Sequence, residues 1–60
     1  MLYNVTITLQ DRQDTDSLRM FTTSLSAHDV QRARLDGEET ALQNNPGFKS
    51  IDVHVDTPPS

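Results

Sequence analysis

The sequence predicts an α+β fold, in which three antiparallel strands in the order 2-1-3 form one sheet and a single helix packs on one face of it. Residues 2–10 and 48–56 alternate between apolar and polar side chains with a period of two, which is typical of strands buried on one face. Between them lies a segment with helical spacing of apolar residues. With a further strand at residues 17–25, these elements form a ββαβ unit.

The first predicted strand has the most regular apolar face in the chain, so we expect it at the centre of the sheet. Its inward-facing residues are Tyr3, Val5, Ile7 and Leu9. A polar loop at residues 11–16 joins this strand to the second, which makes the two strands antiparallel. The helix then carries the chain back, and the third strand is therefore also antiparallel to the first.

The second predicted strand, residues 17–25, has no purely polar face, and its register stays open at this point. Leu18 and Met20 share one face, whereas the other face carries Arg19, Phe21, Thr23 and Leu25. If Phe21 and Leu25 join the core, Leu18 and Met20 lie on the Thr-rich outer face of the sheet. There they become candidates for a contact surface, or they cover the sheet thinly and bind nothing.

The predicted helix begins after Ser26, whose hydroxyl is suited to accept a hydrogen bond from a free backbone N–H in the first turn. Asp29 lies three residues later, where a capping-box carboxylate is expected. The helix ends at Asn45, because Pro46 disfavours a helical conformation of the residue before it and Gly47 readily adopts left-handed angles.

The buried stripe of this helix consists mostly of small residues, so the helix is expected to lie close to the sheet. The stripe contains Ala27, Val30, Ala33, Gly37 and Ala41, and we expect Leu35 and Leu42 on its flank. Gly37 has two interpretations: a close contact with the sheet, or a turn that splits the segment into two short helices. Arg34 and Glu38 are four residues apart and are placed to form an ion pair.

The third predicted strand, residues 48–56, places Ile51, Val53 and Val55 on one face and alternates them with polar residues on the other. Phe48 is expected to anchor the junction of helix and strand. The outward residues of this strand include Asp52, His54 and Asp56, which a solvated edge strand explains without chemistry.

Length and composition limit the function. We expect residues 1–56 to form a single domain and residues 57–60 a flexible C-terminal tail. The net charge of −4 argues against sequence-independent binding of nucleic acid, and the lack of cysteine excludes a disulfide framework. Without a signal peptide or an apolar run of about 20 residues, we expect a cytoplasmic protein that does not enter the membrane.

The chain resembles small accessory proteins encoded by bacteriophages in its size, in its opening strand and in the start of its helix. The corresponding segments are Tyr3-Asn4-Val5-Thr6-Ile7 and Ser26-Ala27-His28-Asp29-Val30-Gln31-Arg32-Ala33. The resemblance implies a protein that binds and modulates or inhibits a host protein, and a location in the host cytoplasm. It carries no functional residues to this chain.

We therefore predict a small non-enzymatic protein-binding module that forms a homodimer, by edge pairing or through the outer sheet face, and has no catalytic residues, cofactor or metal. The candidate partner-binding residues are Leu18, Met20, Thr6, Thr8 and His54. One alternative is a dimeric nucleic-acid-associated regulator that presents its arginines on one face; these are Arg19, Arg32 and Arg34. The other alternative is a small metal-binding protein built on His28, His54 and nearby carboxylates.

Overall fold

The fold, a ββαβ unit, was obtained as a computed structural model that describes residues 1–57. Its elements are β1 (Leu2–Asp11), β2 (Leu18–Ser26), α1 (Val30–Asn44) and β3 (Phe48–Asp56). Both strand pairs are antiparallel and the order in the sheet is β2-β1-β3. The predicted fold class and strand order are confirmed. Of the predicted tail at 57–60, residues 58–60 lie outside the described residues.

The core lies between the central strand and the helix. The four inward-facing residues of β1 are buried, at 5% exposure or less, and they are Tyr3, Val5, Ile7 and Leu9. The helix adds Ala33 and Ala41, both fully buried. Half-buried apolar side chains surround this centre, namely Phe21, Leu25, Ala27, Leu42, Phe48, Val53 and Val55. The alternation of β1 thus places every second side chain against α1, as the sequence pattern predicts.

Gly37 lies in the middle of a continuous helix, so the alternative of a turn at this position is wrong. A Cβ atom added at Gly37 would lie 2.6 Å from Cγ1 of Val5, which is closer than non-bonded carbon atoms approach each other in proteins. The residue is therefore required for close contact between α1 and β1. With Ala33 and Ala41 one turn away on either side, it forms the buried stripe. Val30, which was also predicted to lie in this stripe, is 51% exposed at the first position of the helix.

The helix begins three residues later than the sequence predicts. Asp29, not Ser26, is the N-cap: its carboxylate accepts a hydrogen bond from the N–H of Arg32 at 2.8 Å. Ser26 is the last residue of β2 and pairs with Leu2. The ladder between β1 and β2 extends far enough to hold Ser26 in an extended conformation, and Ala27 continues it by bonding to Met1.

Two other features of the helix surface differ from expectation. Leu35 is 57% exposed, because it lies about 200° around the helix from Ala33 and points away from the sheet. The ion pair on the helix joins Arg32 and Asp36 at 3.3 Å rather than Arg34 and Glu38. Glu38 lies beside the sheet instead and accepts a hydrogen bond from Ser50 of β3 at 3.3 Å.

Asn45 ends the helix and connects it to the sheet. Its side-chain N–H donates to the carbonyl of Ala41 at 2.9 Å, and its Oδ1 accepts from the guanidinium of Arg19 at 2.9 Å. Only 7% of Asn45 is exposed, and this full set of partners explains how a polar side chain is accommodated there. Gly47 follows with a φ of 92°, a left-handed conformation that starts β3.

The third strand contains a β-bulge. The faces predicted for two residues in the first half of the strand are therefore wrong. Thr8 pairs with Asp52 but Leu9 pairs with Ser50, so Ile51 is an extra residue in β3. Ser50 faces the helix, where it bonds to Glu38, and Ile51 is 48% exposed. Ile51 was predicted to lie inside and Ser50 outside; the bulge reverses both positions, whereas Val53 and Val55 face the core as predicted.

The loop between β1 and β2 is held by its own hydrogen bonds. The Asp11 carboxylate accepts from the N–H groups of Gln13 at 2.8 Å and of Asp14 at 3.1 Å. These two hydrogen bonds hold the pKa of Asp11 below its ordinary value of 3.8, because they stabilise the ionised form. The polar composition of the loop is thus explained by turn formation.

Candidate interaction surface

The face of the sheet opposite α1 is not covered by any element of residues 1–57. We call it the outer face. Its central row is formed by the polar residues of β1, which are Asn4, Thr6, Thr8 and Gln10. All four are half-buried, because strands flank them on both sides and solvent reaches them from above. The outer face is therefore a continuous three-stranded surface.

Leu18 and Met20 lie on the outer face at the β2 edge. They pair with Gln10 and Thr8, and they are 59% and 69% exposed. The mixed pattern of β2 did not determine which of its faces points to the core. In the structure Phe21 and Leu25 pack against the core, so Leu18 and Met20 point outward. The prediction that Leu18 and Met20 lie on the outer face if Phe21 and Leu25 join the core is therefore confirmed.

Ile51 adds an apolar side chain that sequence reasoning had assigned to the core. Ser50 and Val53 both face the helix, so the two residues between them at the bulge lie on the outer side. Asp52 thus lies across Thr8 from Met20, and Ile51 precedes Asp52 at the bulge on the same face. We call the three exposed apolar residues Leu18, Met20 and Ile51 the outer patch; Thr8 and Gln10 of β1 lie between Ile51 and the other two. No sequence signal for the bulge was available.

The other half of the outer face is mostly polar and internally hydrogen-bonded, with Leu2 exposed at its far end beside Ser26. Thr6 lies between Thr22 and His54, with its hydroxyl 3.3 Å from that of Thr22. The His54 ring lies on the β3 edge and its Nε2 is 3.0 Å from a carboxylate oxygen of Asp56. The five predicted site residues therefore share one face, with Leu18, Met20 and Thr8 at the outer patch and the remaining two in the polar half.

The geometry gives no support for a metal centre. Among residues 1–57 no three His, Asp or Glu side chains are close enough together to hold an ion. His54 has one carboxylate beside it, and His28 is exposed at the turn before the helix. The two histidines, which the metal-binding alternative requires together, lie on different elements: one precedes α1 and the other is on β3.

The three arginines of the nucleic-acid alternative do not form one surface. The Arg19 guanidinium bonds to Asn45 and lies over the ring of Phe48, 4.9 Å from its centroid, at the C-terminal end of α1. Arg32 lies in the first turn of the same helix and pairs with Asp36. Arg19 therefore stabilises the fold at one end of the helix while Arg32 lies at the other.

A shallow groove of about 190 Å³ lies beside the first turns of α1, between Asp29, Gln31, Arg32 and Leu35. Sites that enclose small molecules generally measure about 300–1,000 Å³, so this groove is small for that purpose. No helix in the described part of the chain is long and apolar enough to cross a membrane. Comparisons with protein-family models, curated proteins and solved structures found no match to this chain.

Proposed function

We propose that this chain is a small non-enzymatic binding module that occupies a surface of a larger protein through its outer face. The observation that supports the proposal is the outer patch: Leu18, Met20 and Ile51 are 59%, 69% and 48% exposed and lie on the same face of the sheet, on β2 and β3. Large apolar side chains exposed on one face among polar residues are typical of a surface that contacts another protein.

The charges near the outer patch indicate the chemistry of the partner. Asp52 lies beside Ile51 on the outer side of the bulge and Asp56 lies farther along the same strand, whereas Lys49 lies on the same face across Gln10 from Leu18. The whole chain carries a net charge of −4. A partner that offers an apolar groove with Lys or Arg opposite Asp52 and Asp56 would match the patch and the net charge of the chain, and opposite charge would speed the encounter.

The source of the partner is proposed from the resemblance to bacteriophage accessory proteins. On that basis the partner is a bacterial host protein, which this chain inhibits or modulates by covering a functional surface in the host cytoplasm. Because the contact is mainly apolar, we expect binding to persist at high salt.

The contribution of the outer patch can be estimated from its side chains. Burying an exposed Leu or Met side chain stabilises a complex by about 1–2 kcal/mol when the residue is already partly covered. Loss of Leu18 and Met20 together should therefore weaken binding by at least about 30-fold.

The experiment begins with affinity purification of the tagged chain from a bacterial host lysate at low and high salt, followed by mass spectrometry. Binding of the purified partner is then compared between wild type and the Leu18→Ser/Met20→Ser variant. A matched control, Val30→Ser/Leu35→Ser, removes two apolar side chains that are 51% and 57% exposed on the helix instead. Circular dichroism is used to check that each variant is folded.

The proposal predicts at least about 30-fold weaker binding for the outer-patch variant and wild-type affinity for the helix variant. A partner that binds the outer-patch variant as tightly as wild type would contradict it. Loss of binding only in the helix variant would show that the partner binds α1 and not the outer face, which would also contradict the proposal.

A further inference from the structure

The hydrogen-bond pattern of β2 determines which of its backbone groups are free. At one end of the ladder Ala27 donates to the Met1 carbonyl at 3.0 Å and accepts from the Met1 amino group at 3.2 Å. At the other end Asp11 donates to Ser17 at 3.0 Å. Hydrogen-bonded pairs alternate along antiparallel strands, so the odd-numbered residues of β2 bond to β1.

The even-numbered residues of β2 therefore direct their N–H and C=O groups away from β1, toward the open edge of the sheet. These residues are Leu18, Met20, Thr22, Ser24 and Ser26. Their backbone groups form no turn, loop or cap hydrogen bond with any other part of residues 1–57. The ladder with β1 runs from Ser26 to Leu18 without a bulge, which makes this edge long and regular.

The opposite edge of the sheet is protected against strand addition. β3 contains the bulge at Ile51, which interrupts the regular spacing of its backbone groups. Its outward side chains are also mostly charged or ionisable, namely Lys49, Asp52, His54 and Asp56. Bulges and charges are the features that block edge pairing in natural sheets. On β2 the only charged residue is Arg19, and it is bonded to Asn45.

We propose that β2 pairs with β2 of a second copy of this chain, antiparallel, about a two-fold axis at Thr22. In this register Thr22 faces its own counterpart, Met20 faces Ser24 of the second copy, and Leu18 faces Ser26. All five outward-directed residues of each strand are then paired, which gives about ten hydrogen bonds between the chains. Two three-stranded sheets become one continuous six-stranded sheet.

Side chains on both faces are compatible with this register. On the outer face the two Thr22 hydroxyls meet at the axis, and no charged residues lie opposite each other. On the inner face Phe21 lies beside Thr23 of the second copy, an aromatic and β-branched pair that is favourable in sheets. The inner side of β2 is also open: α1 contacts β1 and β3 more than β2, and it leaves Phe21 and Leu25 half-buried.

The test measures the mass of the full chain by sedimentation equilibrium over a range of concentrations. Wild type should approach twice the monomer mass, whereas Thr22→Lys and Thr22→Glu, each of which places like charges at the axis, should raise the dissociation constant at least about tenfold. An equimolar mixture of the two variants should restore dimers, because opposite charges then meet. Such rescue would not follow from a merely local effect on folding.

Thr22→Pro is a second variant. It removes an outward-directed N–H without breaking a bond to β1, and it should also give monomers. The matched control is His54→Lys: His54 flanks Thr6 on the β3 side as Thr22 does on the β2 side, so this variant should keep the wild-type mass.

Three results would overturn the proposal: a wild-type chain that remains monomeric at millimolar concentration, Thr22 charge variants that still form dimers separately, or a mixture that fails to restore them. If the wild-type chain stays monomeric and its β2 edge instead binds an extended segment of another protein, the proposal is likewise overturned. The dimer does not depend on the proposed function, because Leu18→Ser/Met20→Ser leaves the backbone groups of β2 in place and should retain the dimer.

Discussion

Replacement of Gly37 by Ala tests the close packing of helix on sheet. In an exposed helix this change stabilises the protein by about 1 kcal/mol, because Gly is a poor helix former. Here the new Cβ would lie 2.6 Å from Cγ1 and 2.9 Å from Cβ of Val5. Favourable carbon contacts occur near about 3.5–4 Å, so the helix and the strand must separate by about 1 Å.

The cost of that separation should exceed the gain in helix propensity. Overpacking of a core costs about 1–3 kcal/mol, and we expect the upper end because the Val5 Cβ, which no rotamer change can move, is one of the atoms in conflict. Subtracting the propensity gain leaves a loss of about 2 kcal/mol. A chain of this size is stable by only roughly 3–9 kcal/mol, so the effect is readily measured.

The assay is urea unfolding followed by circular dichroism, at one protein concentration so that self-association affects every variant equally. Arg34→Gly and Arg34→Ala form the matched control, because Arg34 is an exposed residue of the same helix. Their difference should favour Ala by about 1 kcal/mol. If Gly37→Ala raises stability by a similar amount, the argument from the Val5 contact is refuted.

Two further predictions concern the helix start and the hairpin loop. Asp29→Ala should lower the free energy of unfolding by about 1 kcal/mol through loss of the N-cap. Ser26→Ala should change the free energy of unfolding by less than about 0.5 kcal/mol. A larger loss for Ser26→Ala than for Asp29→Ala in the same urea assay would indicate that Ser26 is the N-cap. The hydrogen bonds from Gln13 and Asp14 lower the folded-state pKa of Asp11 below its ordinary 3.8, so its stabilisation is complete above that pH and is lost as the pH falls through the folded-state pKa. A carboxyl titration by NMR should give a midpoint below 3.8 for Asp11, and a midpoint at or above that value would contradict the loop geometry.

The elements that the sequence predicted correctly are those decided by local pattern. The alternation of β1 and the stop at Pro46-Gly47 depend on neighbouring residues, and both are confirmed. The central position of β1 follows because it alone has an uninterrupted apolar face. Once β1 is central, the chain connections leave the order β2-β1-β3 as the natural solution.

The errors arise where a distant part of the chain determines the conformation of a residue or the face on which it lies. Ser26 is a good N-cap by residue type, but its pairing with Leu2 keeps it in β2. The face of Ile51 depends on a bulge, which is determined by the pairing of Ser50 with Leu9 and has no local signature. For this reason the sequence located two of the three apolar residues of the outer patch and assigned the third to the core.

The bulge has a consequence for how the two faces of this sheet can change over time. Ile51 occupies a position that the regular ladder does not need: without it, Ser50 would still face α1, Asp52 would still pair with Thr8, and Val53 would still face the core. A single-codon insertion or deletion at this point would therefore add or remove an apolar contact on the outer face while the interior stays the same. The outer face of such a small protein can in this way change its apolar content without a change in its core.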